Sequence, residues 1–169
     1  LFILIGISCS AELKAQKNGT VYKGNDPAVR YTGRTLVSPD GSVAFDWVGT
    51  YLETRFTGGK LSVKVSETGT SYYNVFVDGK LHKVVKVCGT DTLIHLVSGI
   101  DKRIHSLKIQ KRSEGEFGKT TVHQFVLSGS GRLAEEPAVR TRHIEFIGNS
   151  LPCGYGTDGK HRDEPFLVE

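Results

Sequence analysis

Residues 72–79 read Tyr-Tyr-Asn-Val-Phe-Val-Asp-Gly, and this stretch decides the fold. Aromatic and β-branched side chains favour a strand, and the Asp-Gly pair at the end is typical of a two-residue type I′ hairpin turn. This turn predicts that Phe76 lies opposite Leu81. Further from the turn, it predicts that Tyr72 lies opposite Val85 on the same face. We expect that face to point into the core, because a shift of one residue would turn these side chains outward.

The same pattern continues on both sides of the hairpin, from Tyr22 to Leu127. Short runs rich in Val, Ile, Thr, Tyr and Phe are separated by Gly, Asp or Pro roughly every ten residues, and no segment has the apolar spacing of a helix. The further runs are residues 42–47, 51–56, 61–65, 92–97, 104–110 and 120–127. About eight or nine short strands in this length predict an all-β fold, a jelly-roll-like antiparallel β-sandwich.

Two aromatic residues have an expected location in this sandwich. Trp47 is the single tryptophan, and Tyr73 belongs to the hairpin strand. Exposed aromatic rings can stack on sugars, but in a sandwich they more often fill the space between the sheets. We therefore expect the side chains of Trp47 and Tyr73 to be buried.

The chain begins with an apolar segment. Residues 1–7 are apolar apart from Gly6, and small and polar residues follow as far as Ala15. The run is too short for a membrane span, which needs about 20 apolar residues, and it is typical of the hydrophobic part of a secretory signal. Residues 1–15 are interpreted as a partial signal peptide, which predicts a secreted or periplasmic protein. Lipid attachment at Cys9 and an apolar first strand are the second and third interpretations.

Three further segments follow this signal. Residues 16–127 form the predicted amino-terminal sandwich, and residues 128–141, which are rich in Ser and Gly before Pro137, are interpreted as a linker. Residues 142–169 begin a second domain. In that segment the alternating apolar run 144–147 predicts a buried strand, and a Gly-rich loop follows it, as expected for the first strand of an α/β domain.

Ser150 follows this predicted strand and the turn at Gly148-Asn149. A glycine allows a sharp turn, and the turn leaves backbone N–H groups beside the serine hydroxyl, where they can bind an oxyanion. Ser150 is therefore a candidate nucleophile. Serine is also a preferred helix N-cap, and position alone favours that role.

Longer strings around and before this serine carry a family resemblance. Gly148-Asn149-Ser150 resembles the first block of the SGNH (GDSL-type) hydrolases, in which the middle residue is usually Asp. The other strings are residues 30–34, 45–49, 72–79, 110–116 and 144–157. In this order they resemble carbohydrate esterase family 2, the acetyl xylan esterase type, over nearly all of the chain after about residue 20. The resemblance implies a β-sandwich followed by the truncated first strand and loop of an α/β SGNH hydrolase domain.

The resemblance also implies an activity. The expected function is that of a secreted serine esterase that removes O-acetyl groups from plant cell-wall polysaccharides, xylan or glucomannan, without a metal or organic cofactor. Ser150 is the expected nucleophile and also a backbone oxyanion donor. The family's catalytic histidine and other oxyanion donors belong to blocks beyond Glu169. Neither His143 nor His161 is therefore expected to be the general base, and this chain alone is expected to be inactive.

Charge and residue spacing bear on the partners and on other mechanisms. Lys and Arg number 22 and Asp and Glu number 18, which gives a net charge of +4. The basic residues are dispersed and no nucleic-acid motif is present, so the expected partner is an acetylated polysaccharide or oligosaccharide and not a nucleic acid. The histidines lack a metal-ligand spacing such as His-Glu-x-x-His. The alternatives from other classes are a non-catalytic carbohydrate-binding β-sandwich module and a structural adhesion sandwich.

Overall fold

The computed structural model describes residues 19–135, 141–142, 144, 147–149 and 160–161. In this part of the chain the strands are β1 (Gly19–Lys23), β2 (Val29–Thr32), β3 (Leu36–Val37), β4 (Val43–Phe45), β5 (Tyr51–Val77), β6 (Lys80–Lys111), β7 (Thr120–Ser128) and β8 (Arg132–Leu133), with a 3₁₀ turn at Gly115–Phe117. All pairings among these strands are antiparallel. The predicted all-β antiparallel fold is confirmed.

β5 and β6 are much longer than the predicted strands because each bends without ending. They pair in three successive segments, separated by register shifts. The segments are residues 51–57 with 104–110, residues 59–65 with 92–100, and residues 70–77 with 80–88. Bulges bend a strand while leaving its neighbours paired, so one strand can contribute to both halves of a sandwich.

The pairings divide the strands into two layers. In the first layer, residues 104–111 lie between residues 51–57 and 70–77, and β2 and residues 80–88 form the two edges. In the second layer, β7 lies between residues 60–67 of β5 and the short strands β1 and β4. Residues 92–100 of β6 and strand β3 extend the second layer on either side.

The core lies between the two layers. Its large, fully buried apolar side chains include Phe56, Phe125, Leu52, Leu61, Leu96, Leu107 and Leu127. Tyr73 of the first layer is 3% exposed, and its ring meets that of Phe45 in the second layer edge-on, with 6.3 Å between centroids. The predicted burial of Tyr73 is confirmed. Each buried side chain of this size contributes about 1.5–3 kcal/mol, so the shared core holds the layers together.

The hairpin that joins β5 to β6 has the predicted turn. Asp78 and Gly79 have φ of 50° and 76°, as a type I′ turn requires, and Phe76 lies opposite Leu81. The rest of the predicted pairing is wrong. An extra residue on β6, His82, shifts the register, so that Tyr72 lies opposite Lys86 and not opposite Val85.

The predicted orientation of this strand is also wrong. The buried positions are Ser71, Tyr73 and Val75, whereas Tyr72 and Phe76 point outward and are half-buried. The stretch has apolar side chains on both faces of the strand, so alternation alone does not decide which face meets the core. The second layer decides it, because its Phe45 ring meets Tyr73 and its Val63 belongs to the same buried core cluster as Val75.

Trp47 differs from its predicted location. Its side chain is 64% exposed, because β4 ends at Phe45 and Trp47 lies in the turn that leads to β5. Gly49 has φ of 78°, and its N–H donates to the Lys111 carbonyl, which fixes this turn against the end of β6. The prediction that Trp47 fills the core is therefore wrong.

Several predictions fall on residues outside the described part of the chain. They concern the signal peptide at 1–15, Ser150 and most of the second domain, and all of them stay predictions. Of the predicted strand 144–147, the described residues Ile144 and Ile147 are exposed. β8 lies within the segment interpreted as a linker, where it pairs with β5. Among the described residues, none belongs to a helix long and apolar enough to cross a membrane.

Candidate functional site

The residues before the predicted nucleophile are exposed. Gly148 and Asn149 belong to the described residues and are accessible to solvent, whereas Ser150 and His143 lie outside them. His161 is also exposed. The side-chain clusters that the structure describes therefore lie in the β domain, and the role of Ser150 stays a proposal.

A serine and a histidine meet on the second layer. Ser66 Oγ of β5 lies 2.8 Å from Nε2 of His123 on β7. The Asp91 carboxylate lies 3.8 Å from that same Nε2, and the Asp91 N–H donates to Ser66 Oγ. In a hydrolytic triad the acid instead contacts the imidazole nitrogen that faces away from the serine. This cluster is therefore not a triad; it ties the turn at Asp91 to the sheet.

A second histidine joins two turns at one end of the first layer. His105 is 2% exposed; its Nδ1 lies 2.7 Å from Asp78 Oδ2 and its Nε2 lies 2.9 Å from Asp101 Oδ1. The hydrogen bond to Asp78 is the main reason that the pKa of His105 is raised above its ordinary value. A ring that donates from both nitrogens is an imidazolium and has no lone pair for a metal. Among the residues that the structure describes, no three His, Cys, Asp or Glu side chains form a metal-binding group.

A buried polar network supports the turn that carries Trp47. Lys111 is 1% exposed, and its Nζ donates to Ser71 Oγ at 3.0 Å and to the Gly118 carbonyl at 2.6 Å. Burial lowers the pKa of Lys111. At the end of the turn, the Lys111 carbonyl accepts from the Gly49 N–H and the Lys111 N–H donates to the Thr50 carbonyl. A buried ammonium with its hydrogen bonds made rigidifies the structure around it, so the bonds of Lys111 hold the turn that carries the exposed indole. Among the described residues, Thr50 Oγ1 at the end of this turn is a buried side-chain atom without a hydrogen-bond partner.

A buried carboxylate, Glu67, interacts electrostatically with Lys111 and has hydrogen bonds of its own. The Thr120 hydroxyl donates to Glu67 Oε2 at 2.5 Å, and the Tyr73 hydroxyl bonds Thr120 Oγ1. The Gly69 N–H donates to the other carboxylate oxygen of Glu67. Burial raises the pKa of Tyr73. Because Glu67 is only 6% exposed and its oxygens accept internal donors, we assign it a structural role.

The outward side of the first layer combines aromatic, polar and basic side chains, and we call it the outer face. Its residues occupy outward positions on neighbouring paired strands, except for Arg112, which directly follows β6: Arg30, Tyr51, Glu53, Arg55, Tyr72, Asn74, Phe76, Leu81, Val84, Lys86, Lys108, Gln110 and Arg112. Lys108 Nζ lies 4.1 Å from the centroid of the Tyr51 ring and 5.8 Å from that of Phe76. Arg112 donates to Asn74 Oδ1 at 3.2 Å.

This face has the chemistry of a binding surface and not of a catalytic centre. Leu81 and Val84 are 57% and 41% exposed, and aromatic rings lie beside amide and cationic donors. Aromatic rings offer an apolar surface and the polar groups offer hydrogen bonds, the combination that orients a ligand. Sequence reasoning missed the outer face, because its members are scattered over more than 80 residues and only the strand register brings them together.

Comparison with known sequences identifies relatives of the β domain. The family described as Carbohydrate esterase 2 N-terminal matches residues 31–137. The chain is 32% identical over 142 residues to the cellulase/esterase CelE of Acetivibrio thermocellus, a match that covers 84% of this chain and 17% of CelE. It is 28% identical over 135 residues to an acetylxylan esterase / glucomannan deacetylase of Cellvibrio japonicus, covering 79% of this chain and 37% of that protein.

Comparison with solved structures gives the same result. The chain is similar to a family two carbohydrate esterase from Clostridium thermocellum in complex with cellohexaose, with a TM-score of 0.75 and 32% identity over 83% of this chain and 43% of that chain. The chain therefore spans less than half the length of each of these relatives.

Proposed function

Because the chain belongs to carbohydrate esterase family 2, whose amino-terminal domain it contains, we propose that the whole protein is a secreted serine esterase. Its proposed reaction is the removal of O-acetyl groups from plant cell-wall polysaccharides such as xylan or glucomannan. The observation that supports this most directly is the family match over residues 31–137. A relative described as an acetylxylan esterase / glucomannan deacetylase supports the acetyl ester and the substrate class.

Ser150 is the proposed nucleophile. In the proposed mechanism its hydroxyl loses a proton to a histidine of the second domain and attacks the acetyl carbonyl. The Ser150 N–H and further backbone or side-chain donors stabilise the oxyanion. The sugar hydroxyl leaves with the proton from the histidine, and water then hydrolyses the acetyl-enzyme to acetate. These steps use no metal and no organic cofactor.

The second candidate function is a non-catalytic carbohydrate-binding module. The exposed indole of Trp47, in the turn before β5, and the half-buried aromatic rings of the outer face favour it, because both present aromatic surface to solvent. The two functions differ in a simple observable: the esterase releases acetate, whereas the module only binds polysaccharide.

The test compares acetate release from acetylated xylan by three proteins: the whole wild-type protein, whole Ser150→Ala and the 169-residue chain. We expect the wild type to be active and the 169-residue chain to be inactive. Ser150→Ala should lose at least about a thousandfold in rate, the usual cost of removing a triad nucleophile. Circular dichroism serves as the control for folding. Substantial activity in folded Ser150→Ala would show that Ser150 is a cap, and an inert wild-type protein that still binds xylan would favour the module.

A further inference from the structure

The outer face carries an excess of positive charge, although its basic residues are far apart in the sequence. Five of its residues are cationic, namely Arg30, Arg55, Lys86, Lys108 and Arg112, and Glu53 is its only carboxylate. Arg30 and Glu53 pair with each other at 2.8 Å. Among the described residues, no carboxylate lies within 4.0 Å of the four remaining cations.

Aromatic rings lie between these cations. Residues 104–111 of β6 have a neighbour on each side. Phe76 lies directly opposite Lys108 on one side, and Tyr51 lies opposite Gln110 on the other. Lys108 Nζ lies over the Tyr51 ring at 4.1 Å, so the cation and the ring already lie in contact on one surface. Neighbouring strands are about 4.8 Å apart, and five strands therefore make a surface about 20 Å wide.

The outward side of the second layer differs in composition. Its central positions are Ser62, Lys64, Ser66, Gln124 and Val126, with no aromatic residue among them. Lys64 there pairs with Asp91 at 3.2 Å. Of the outward sides of the two layers, that of the first layer therefore combines aromatic rings with cations that have no carboxylate within 4.0 Å among the described residues.

These features specify the chemistry of a ligand. Aromatic rings pack against the apolar faces of sugar rings, while cations without a carboxylate partner attract an anion and give binding that weakens with salt. We propose that the outer face binds a polysaccharide that carries uronic acid carboxylates, such as glucuronate-substituted xylan. Lys108 and Arg112 contact the carboxylate, and Tyr51 and Phe76 contact the sugar rings. The choice of a plant cell-wall polysaccharide rests on the proposed function.

The first experiment needs no variant. Binding of the wild-type 169-residue chain is measured by affinity electrophoresis on glucuronoxylan and on the same xylan after its carboxyl groups have been reduced to alcohols. We expect the reduced polymer to bind at least tenfold more weakly, and binding to glucuronoxylan to weaken as NaCl is raised. Equal binding to the two polymers would overturn the proposal.

The second experiment locates the site. The double variant Lys108→Gln/Arg112→Gln is expected to lose at least tenfold in affinity for glucuronoxylan. The matched control Lys23→Gln/Lys60→Gln removes the same charge from exposed positions of the second layer and is expected to change affinity less than twofold. Tyr51→Leu, which keeps the charge, provides a second variant with an expected loss of at least threefold. An equal loss in the control pair would contradict the assignment to this face.

A basic face with aromatic rings also suits single-stranded nucleic acid, so a single-stranded oligonucleotide and heparin are tested in parallel. If either binds as tightly as glucuronoxylan at equal salt, the face is a general polyanion site and the proposal fails. Acetate release by the whole protein is measured separately. A whole protein that binds glucuronoxylan but releases no acetate would contradict the proposed esterase function and support the proposed binding site. A whole protein that releases acetate but does not bind glucuronoxylan would support the esterase function and overturn the proposed binding site.

Discussion

His105 shows how one buried side chain can connect two turns. It bonds Asp78 in the β5–β6 hairpin and Asp101 in the turn before the last segment of β6. The hydrogen bonds to His105 and to the Ser106 N–H lower the pKa of Asp78, and the Arg103 N–H and then His105 lower that of Asp101. Both carboxylates are therefore charged near neutral pH, and their hydrogen bonds favour the charged form of His105.

The sign of the pH dependence follows from these shifts. Because the pKa of His105 is higher in the folded state than its unfolded-state value of 6.5, protonated His105 stabilises the fold. This contribution is complete below pH 6.5 and is lost as pH rises through the pKa of the folded state. The lowered pKa values of Asp78 and Asp101 stabilise the fold above the unfolded value of 3.8, and their contribution is lost as pH falls. The cluster therefore contributes most between these limits.

The variant His105→Gln tests this pH dependence. Urea unfolding of the 169-residue chain is measured from pH 6 to pH 9. We expect the wild type to lose stability as pH rises and the variant to lose no more than half as much, because the titrating group is gone. The control is His82→Gln, which alters an exposed histidine of the same strand and should keep the wild-type slope. An unchanged slope in His105→Gln would rule out this explanation.

At the scale of elements, the bend in β5 determines how one strand serves two layers. Gly59 lies at that bend with φ of 77°, and a Cβ there would lie 2.3 Å from the Ser128 carbonyl oxygen of β7. Both the backbone conformation and the close approach of β7 require glycine. The contact involves backbone on both sides, so a side-chain rotation cannot relieve it.

Gly59→Ala tests this bend against a matched control. Gly129, in the turn between β7 and β8, has a similar φ of 71°, but nothing lies within 4 Å of its would-be Cβ. Gly129→Ala is expected to cost about 1 kcal/mol of unfolding free energy from the left-handed conformation alone. Gly59→Ala should cost about 3 kcal/mol or more, because the clash adds to that strain. Equal costs in chemical denaturation would show that the bend relaxes around the methyl group.

The hairpin shows which part of an element could be predicted. The Asp-Gly turn and the Phe76–Leu81 pair depend on neighbouring residues, and both were correct. The extra residue at His82 has no local signal. It moves Tyr72 opposite Lys86. On the other side of residues 74–76, Asn74 and Phe76 pair with Gln110 and Lys108 from the far end of β6, a pairing that no local pattern predicts.

At the scale of the whole molecule, β5 and β6 pass through both layers, and their side chains fill one core. Neither layer can be removed without exposing Phe56, Leu61 and the other core side chains to water. The covalent continuity of the long strands and the shared apolar core therefore predict that the layers unfold together.

Native-state hydrogen exchange tests that cooperativity. Amides of residues 52–56 in the first layer and 61–65 in the second are expected to exchange with the same opening free energy, equal to the global value. The exposed two-residue strand β3 serves as the internal reference and should exchange faster. A second layer that opens at a clearly lower free energy than the first would show two independent units.

The candidate binding surface could be predicted only in part. The family resemblance predicts a carbohydrate ligand. The sequence pattern, however, predicts a buried Trp47, which the structure exposes. Strand propensity does not show where β4 ends, and the end of β4 at Phe45 leaves Trp47 in a turn. That turn is held by Lys111, whose burial depends on Ser71 and Gly118 from distant parts of the chain.

The sequence alone determined the all-β fold, the Asp78-Gly79 turn and the family, because each depends on local periodicity, on backbone conformations that few residues adopt, or on residue order. The tertiary structure alone decided which face of residues 72–76 meets the core. It also decided how widely scattered cations meet around Tyr51 and Phe76. The physical reason is that strand register, set by bulges and by packing between layers, determines which side of a sheet each side chain occupies.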